Sequence, residues 1–170
     1  LLVDKPSEWT SHDVVNFVRR RFKVKKVGHC GTLDPNATGL LVLVLGRATK
    51  LSDRLTTQGK TYSGTMRLGI ETFTEDSDGE VTATAETSGI TDADIAAAVA
   101  EFSGEIMQTP PMVSAIKKDG KPLYKLARKG KVVEREPRRI TIHSLTIRNI
   151  AMPDVDFDVE CSKGTYVRTL

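Results

Sequence analysis

A chain of 170 residues, 39% of them hydrophobic, is long enough to bury a core and corresponds to about one domain. No apolar segment approaches the ~20 residues that cross a bilayer and no basic, apolar, small-residue leader precedes Leu1, so a soluble, cytoplasmic protein is expected. The net charge of +3, from 25 bases and 22 acids, says little about partners until its distribution along the chain is considered.

Leu1-Leu2-Val3 reads as a short strand ending at Asp4-Lys5-Pro6. Thr10 to Asp13 has the form of a capping box, and Val14, Phe17, Val18 and Phe22 follow at helical spacing. Arg19, Arg20 and Arg21 fall at the helix C-terminus, where cations suit the dipole. Leu40 to Leu45 is an uninterrupted aliphatic run and predicts a strand buried on both faces. A short helix is expected over 47–57, an alternating strand over 60–68, and a polar hairpin connection over 72–79 with a partner strand at 81–85. Asp76-Ser77-Asp78-Gly79 resembles a calcium loop, but the ligand spacing fails and Thr87 stands where the bidentate Glu belongs.

Thr91 predicts the cap of an Ala-rich helix running to Phe102 and stopped by Gly104. Pro110-Pro111 forbids regular structure, a turn is expected at 118–121, and a helical stretch over 123–129 closes at Gly130. Strands are expected at Val132-Val133 and over 139–149. In 154–159, Asp154, Asp156 and Asp158 alternate with Val155, Phe157 and Val159, which reads as a wet strand face opposite a core face rather than a metal cluster. Short strands with few helices and no repeating strand-helix unit argue for an α+β domain around a mixed, largely antiparallel sheet.

Charge is segregated. Six bases and no acid lie between Arg19 and Lys26, ten bases and three acids between Lys117 and Arg139, and ten acids without a base between Glu71 and Glu105. Two basic stretches on a common face would make a track for a polyphosphate backbone; otherwise they are ordinary solvated faces. Cys30 and Cys161 allow one disulfide at most and suit a reducing compartment. Cys30 adjoins His29, but no spacing of further ligands accompanies the pair, so no metal site is expected.

The stretch of densest chemistry is Gly28-His29-Cys30-Gly31-Thr32-Leu33-Asp34-Pro35-Asn36-Ala37-Thr38-Gly39. Pro35 pushes Asp34 toward extended backbone and the glycines permit turns or close approach, so Asp34 is fixed at a bend. By spacing alone it is either a turn opener or a catalytic carboxylate.

This motif, with Gly46-Arg47-Ala48-Thr49-Lys50-Leu51, resembles that of the TruB family of tRNA pseudouridine synthases. Leu2-Val3-Asp4-Lys5-Pro6, Lys60-Thr61-Tyr62, Pro110-Pro111-Met112-Val113-Ser114-Ala115 and Cys161-Ser162-Lys163-Gly164-Thr165-Tyr166-Val167-Arg168-Thr169 agree with it in order. Cys30 stands where the family more often has Thr or Ser. The resemblance implies the pseudouridine-synthase fold, with helices flanking a sheet and a central catalytic cleft. Because the chain lacks an initial Met and stops within the last motif, a catalytic domain over 1–170, cut at both ends and without the family's C-terminal PUA domain, is expected.

The implied activity is isomerisation of the T-loop uridine at position 55 of tRNA to pseudouridine, by a monomer and without cofactor or metal. Asp34 is then the catalytic carboxylate, which either attacks C1′ or abstracts the 2′ proton. Arg168 is expected to keep it ionised and oriented. Tyr62 and Tyr166 would flank the flipped base, with Tyr62 also near the C5 proton, and His29 would fill the space that the nucleotide vacates. Lys5 would support the loop or contact RNA, and Lys117, Lys118, Lys121, Arg128 and Lys129 would lie along the T-arm. Outside the resemblance, Tyr62 and Tyr166 read as half-buried strand aromatics and Arg168 as a surface residue. Three rivals are a guide-RNA-dependent synthase of the archaeal and eukaryotic type, a glycoside or nucleoside hydrolase, and an RNA-binding or RNA-folding module without catalysis. The hydrolase lacks a second carboxylate in any matched segment.

Overall fold

Thr10 caps the first helix as its spacing requires: its hydroxyl accepts from the Asp13 amide at 3.1 Å and the Asp13 carboxylate accepts from the Thr10 amide at 2.9 Å. The computed structural model describes residues 1–118 and 120–170, which form two compact units, Leu1–Gln58 and Gly59–Leu170. The turn expected at 118–121 includes Asp119, which lies outside the described residues.

In the first unit, β1 (Leu2–Lys5), α1 (Ser11–Arg21), β2 (Val27–His29) and β3 (Gly39–Leu45) build an antiparallel sheet of order β1-β3-β2 against the helix. Val14, Val15 and Val18 pack on Leu41, Leu43 and Val27, each burial contributing roughly 1.5–3 kcal/mol. Three expectations are corrected here. Phe17 is 49% exposed because it lies outside the stripe of Val14, Val15 and Val18, and its ring packs edge-on to Trp9 at 5.9 Å. Phe22, in phase with that stripe, is at the C-cap where the helix has ended, and is 57% exposed. Leu40 is 65% exposed, since the helix covers only the Leu41 and Leu43 face of β3 and cover fails at its start. After β3, 47–57 is not one helix: a 3-10 segment over Gly46–Leu51 passes into α2 (Ser52–Thr56), and neither contains a buried residue to hold a longer amphipathic helix.

In the second unit, β4 (Lys60–Arg67), β5 (Ile70–Thr72), β6 (Val81–Thr84), α3 (Asp92–Glu101), β7 (Gly104–Gln108), β8 (Lys117–Lys118), β9 (Lys121–Pro122), α4 (Leu123–Ala127), β10 (Arg138–Ala151) and β11 (Asp154–Cys161) follow in order. A sheet of order β4-β11-β10-β7 is antiparallel throughout, and β5-β6 and β8-β9 are separate hairpins. Thr91 caps α3 as its sequence predicts, and the Asp94 carboxylate accepts in return from the Thr91 amide at 2.9 Å. The helix expected over 123–129 ends at Ala127, and residues 131–137, including the Val132-Val133 pair, are irregular. That pair stands next to Glu134, Glu136 and Pro137, and Val132 is exposed, so no second apolar face recruits it into a strand.

The alternation in β11 is observed as expected: Val155 and Val159 are fully buried, while the aspartates meet cross-strand partners on β4. Arg67 holds Asp154 in two bonds of 2.7 Å, Thr65 donates to Asp156 at 2.6 Å and Ser63 to Asp158 at 2.5 Å. Among the described residues no group of His, Cys, Asp and Glu could hold a metal ion, and no helix is long and apolar enough to cross a membrane. Both cysteines are free and buried, and burial pushes the Cys161 thiol up from its usual pKa.

Candidate active site

The loop of 30–38 leaves β2 and returns to β3, so the sheet fixes both its ends. Cys30 donates its amide to the Val42 carbonyl at 2.9 Å, and Gly39, at φ +106°, makes the exit bend that a side chain would strain. Within the loop, the Ala37 amide donates to the Asp34 carbonyl at 3.1 Å, closing a turn around Pro35.

Asp34 is half-buried and held between two anchored neighbours. On one side, Leu33 packs toward the helix core, its amide donates to the Ser11 hydroxyl at 2.9 Å, and its carbonyl accepts from that hydroxyl at 3.3 Å. On the other, the Pro35 carbonyl accepts from the Lys5 ammonium at 3.0 Å. Lys5 lies at the end of β1 opposite Gly39, faces the interior with Val3 and Leu41, and is fully buried. Its three protons have three carbonyl acceptors, those of Pro6 at 2.8 Å, Trp9 at 2.5 Å and Pro35 at 3.0 Å. Burial pushes the Lys5 pKa below the usual lysine range, and the charges of Asp34 and Asp13 oppose that shift. Of the two roles expected for Lys5, loop support fits this burial and RNA contact does not. His29, at the end of β2, is half-buried with Nδ1 2.5 Å from the Gly31 carbonyl, a contact that fixes the ring across the start of the loop.

The remaining expected residues belong to the second unit. Tyr62, opposite Val159 on β4, is half-buried and packs on the cluster of Ile140, Ile142, Val159 and Cys161. Val167 and Leu170 pack on the same cluster and anchor the irregular segment of 162–170 that carries Tyr166 and Arg168. That segment is tied to the sheet by the Ser162 amide donating to the Thr141 carbonyl at 2.8 Å. The Arg168 guanidinium lies 6.0 Å from the centre of the Tyr166 ring, donates to the Val113 carbonyl at 2.7 Å, and meets the Asp76 carboxylate at 3.3 Å. Arg168 is therefore no surface residue: only 11% of its side chain is exposed.

Asp76 is the residue that sequence reasoning missed. It was legible only as part of a polar turn, and it does sit in the β5-β6 connection, where its carboxylate also accepts from the Thr74 hydroxyl at 2.5 Å and the Asp78 amide at 3.1 Å. Those bonds aim it, and the contact with Arg168 crosses 92 residues of chain. Nothing in a local pattern signals such a partner.

Lys117, Lys118, Lys121, Arg128 and Lys129 are all exposed on the β8-β9 hairpin and the end of α4. Lys118 donates to the Glu134 carbonyl at 3.0 Å and Arg128 lies 5.6 Å from the centre of the Tyr124 ring, leaving the hairpin edge cationic.

A family model described as TruB family pseudouridylate synthase (N terminal domain) matches residues 19–167. The tRNA pseudouridine synthase B of Opitutus terrae is 55% identical over the whole chain, which covers 70% of that protein. The protein of the same name from Burkholderia pseudomallei (strain 668) is 54% identical over the whole chain, which covers 56% of it. The chain thus spans little more than half the length of that relative. Among solved structures, a Cbf5-Nop10-Gar1 complex matches 99% of this chain and 41% of its own with a TM-score of 0.73 at 29% identity. An H/ACA RNP bound to a substrate RNA containing 2′-deoxyuridine matches 99% and 39%, with a TM-score of 0.68 at 26% identity. A family model and close relatives that agree along nearly the whole sequence leave one assignment: the chain belongs to the TruB family of pseudouridylate synthases.

Proposed function

We propose that this protein converts the T-loop uridine at position 55 of tRNA to pseudouridine, with Asp34 as the catalytic carboxylate. The observation that carries the reading is the clamping of Asp34 between Leu33, tied to Ser11, and Pro35, tied to the buried Lys5. A catalytic group gains most when its geometry is fixed before substrate arrives, and the backbone that carries this carboxylate has little freedom to lose.

In the proposed reaction, the target nucleotide leaves the RNA stack and its base lies against Tyr62 and Tyr166. Asp34 either attacks C1′ or removes the 2′ proton, the C1′–N1 bond breaks, and the uracil turns within the pocket. Its C5 then bonds to C1′ as the ester bond to Asp34 breaks or, on the other route, as Asp34 returns the 2′ proton. The C5 proton leaves with help from Tyr62 while N1 takes up a proton from water, so the product is an isomer of the starting nucleotide and no electrons are gained or lost overall. Arg168 is assigned to the Asp34 carboxylate, where its charge keeps the acid ionised in a dry pocket. The exposed bases of Lys117 to Lys129 follow the T-arm backbone, and His29 takes the space that the base vacates.

The test is incubation with unmodified tRNA and no guide RNA, followed by mass analysis of the T-loop. Pseudouridine in the wild type, and none in Asp34→Asn with RNA binding intact, is the expected result. A need for guide RNA would favour the likeness to the H/ACA proteins. Free uracil would make the enzyme a hydrolase, and binding without product would leave an RNA-binding module.

A further inference from the structure

Tyr166 and Arg168 sit outside any strand, and yet a side chain serves the Tyr166 backbone as a strand partner would. The Tyr166 amide donates to Gln108 Oε1 at 2.8 Å, and the Tyr166 carbonyl accepts from Gln108 Nε2 at 3.0 Å. The two bonds fix the orientation of the carboxamide, because only its oxygen can accept and only its nitrogen can donate. Gln108 is buried and is the last residue of β7, in register with Arg138 of β10. Its backbone is thus held by the four-stranded sheet while its side chain reaches across 58 residues of sequence to the segment of 162–170.

We infer that Gln108 is a positioning residue for the reaction: its carboxamide sets the backbone at Tyr166, and through it the placement of the Tyr166 ring and the Arg168 guanidinium. This rests on the functional reading above, in which those two side chains serve the flipped base and Asp34. Gln108 does not itself touch the reacting atoms. The hydrophobic anchors Val167 and Leu170 hold the segment against the sheet by packing that is non-directional, and the bonds of the Ser162 amide and the Arg168 guanidinium tie it on either side without tying the Tyr166 backbone to the sheet. The two Gln108 bonds, one to each of the peptide units that flank the Tyr166 Cα, supply that directional tie. A displacement of about 1 Å at a catalytic group can cost roughly 10²-fold in rate, so the effect belongs in kcat.

Gln108→Glu separates positioning from bulk stability. It keeps shape and acceptor, but its ionised carboxylate cannot donate to the Tyr166 carbonyl, whereas its protonated form can. The experiment measures kcat, KM and tRNA affinity for the intact enzyme and for Gln108→Glu and Gln108→Ala across pH. The expected result is a kcat lowered at least about tenfold in both variants near neutrality, with tRNA affinity within roughly threefold of wild type. The ratio of Gln108→Glu to wild-type kcat should climb as pH falls through the range of a buried carboxyl, while that of Gln108→Ala stays flat. Unchanged kcat in both variants, affinity lost in step with kcat, or a pH-independent ratio for Gln108→Glu would each overturn the inference. A wild type that makes no pseudouridine would instead sink the functional reading itself.

Discussion

The ammonium of Lys5 and the carbonyl of Pro35, 30 residues apart in sequence, are joined at 3.0 Å beneath the loop that carries Asp34. A lysine buried this completely is stable only because each proton has an acceptor, and one of those acceptors belongs to the residue next to the carboxylate.

Lys5→Met retains most of the aliphatic stem and leaves carbonyls without a donor, at a cost of about 1–3 kcal/mol for each that water cannot reach. Denaturant unfolding should show the loss of stability, and single-turnover rates should fall further than tRNA affinity. The pH dependence has a definite sign. The folded-state pKa of Lys5 is lowered, first by burial, so between that value and the ordinary lysine value of about 10.4 the unfolded chain binds more protons. Stability therefore gains a contribution as pH rises through that alkaline window, and Lys5→Met should lack it.

Asp76→Asn keeps acceptors for the Thr74 hydroxyl and the Asp78 amide but removes the charge facing Arg168. If that charge holds the guanidinium in its working position, kcat should drop about tenfold, equivalent to about 1.4 kcal/mol, with tRNA affinity nearly unchanged. A variant with the wild-type single-turnover rate would show that the contact is structural only.

Lys117→Ala and Lys121→Ala alter exposed side chains on the β8-β9 hairpin, so thermal unfolding should be unaffected. Each lost phosphate contact should flatten the plot of log affinity against log salt by roughly one unit. An unchanged slope would remove this hairpin from the RNA path.

The helix-capping carboxylates Asp13 and Asp94 are held below the usual carboxylate pKa, chiefly by the hydroxyls of Thr10 and Thr91. Asp154 and Asp156 are lowered likewise, chiefly by Arg67 and Thr65. With folded values below the unfolded value of about 3.9, the stabilisation is fully present above that pH and is lost as pH falls through the folded values. Unfolding midpoints followed from about pH 6 to about pH 2 should fall more steeply in the wild type than in an Asp13→Asn, Asp94→Asn double variant.

By itself the sequence determined whatever depends on residues a few positions apart. The box of Thr10 with Asp13, the Thr91 cap, the two faces of β11, and the bend at Asp34 before Pro35 were all legible, because a helical turn or a pleat brings such neighbours together whatever the rest of the chain does. The family motifs also pointed to the residues of the candidate site.

Only the tertiary structure decided which distant groups meet. Lys5 with Pro35, Gln108 with Tyr166 and Asp76 with Arg168 lie 30, 58 and 92 residues apart, and each meeting depends on the strand order and on loops closed by packing. The same cause put Phe17 and Phe22 in solvent although both recur at helical spacing, because burial depends on what the sheet covers and not on periodicity alone. Local geometry is written in the order of residues. Long-range partners follow from which faces the fold conceals, and no short pattern encodes that.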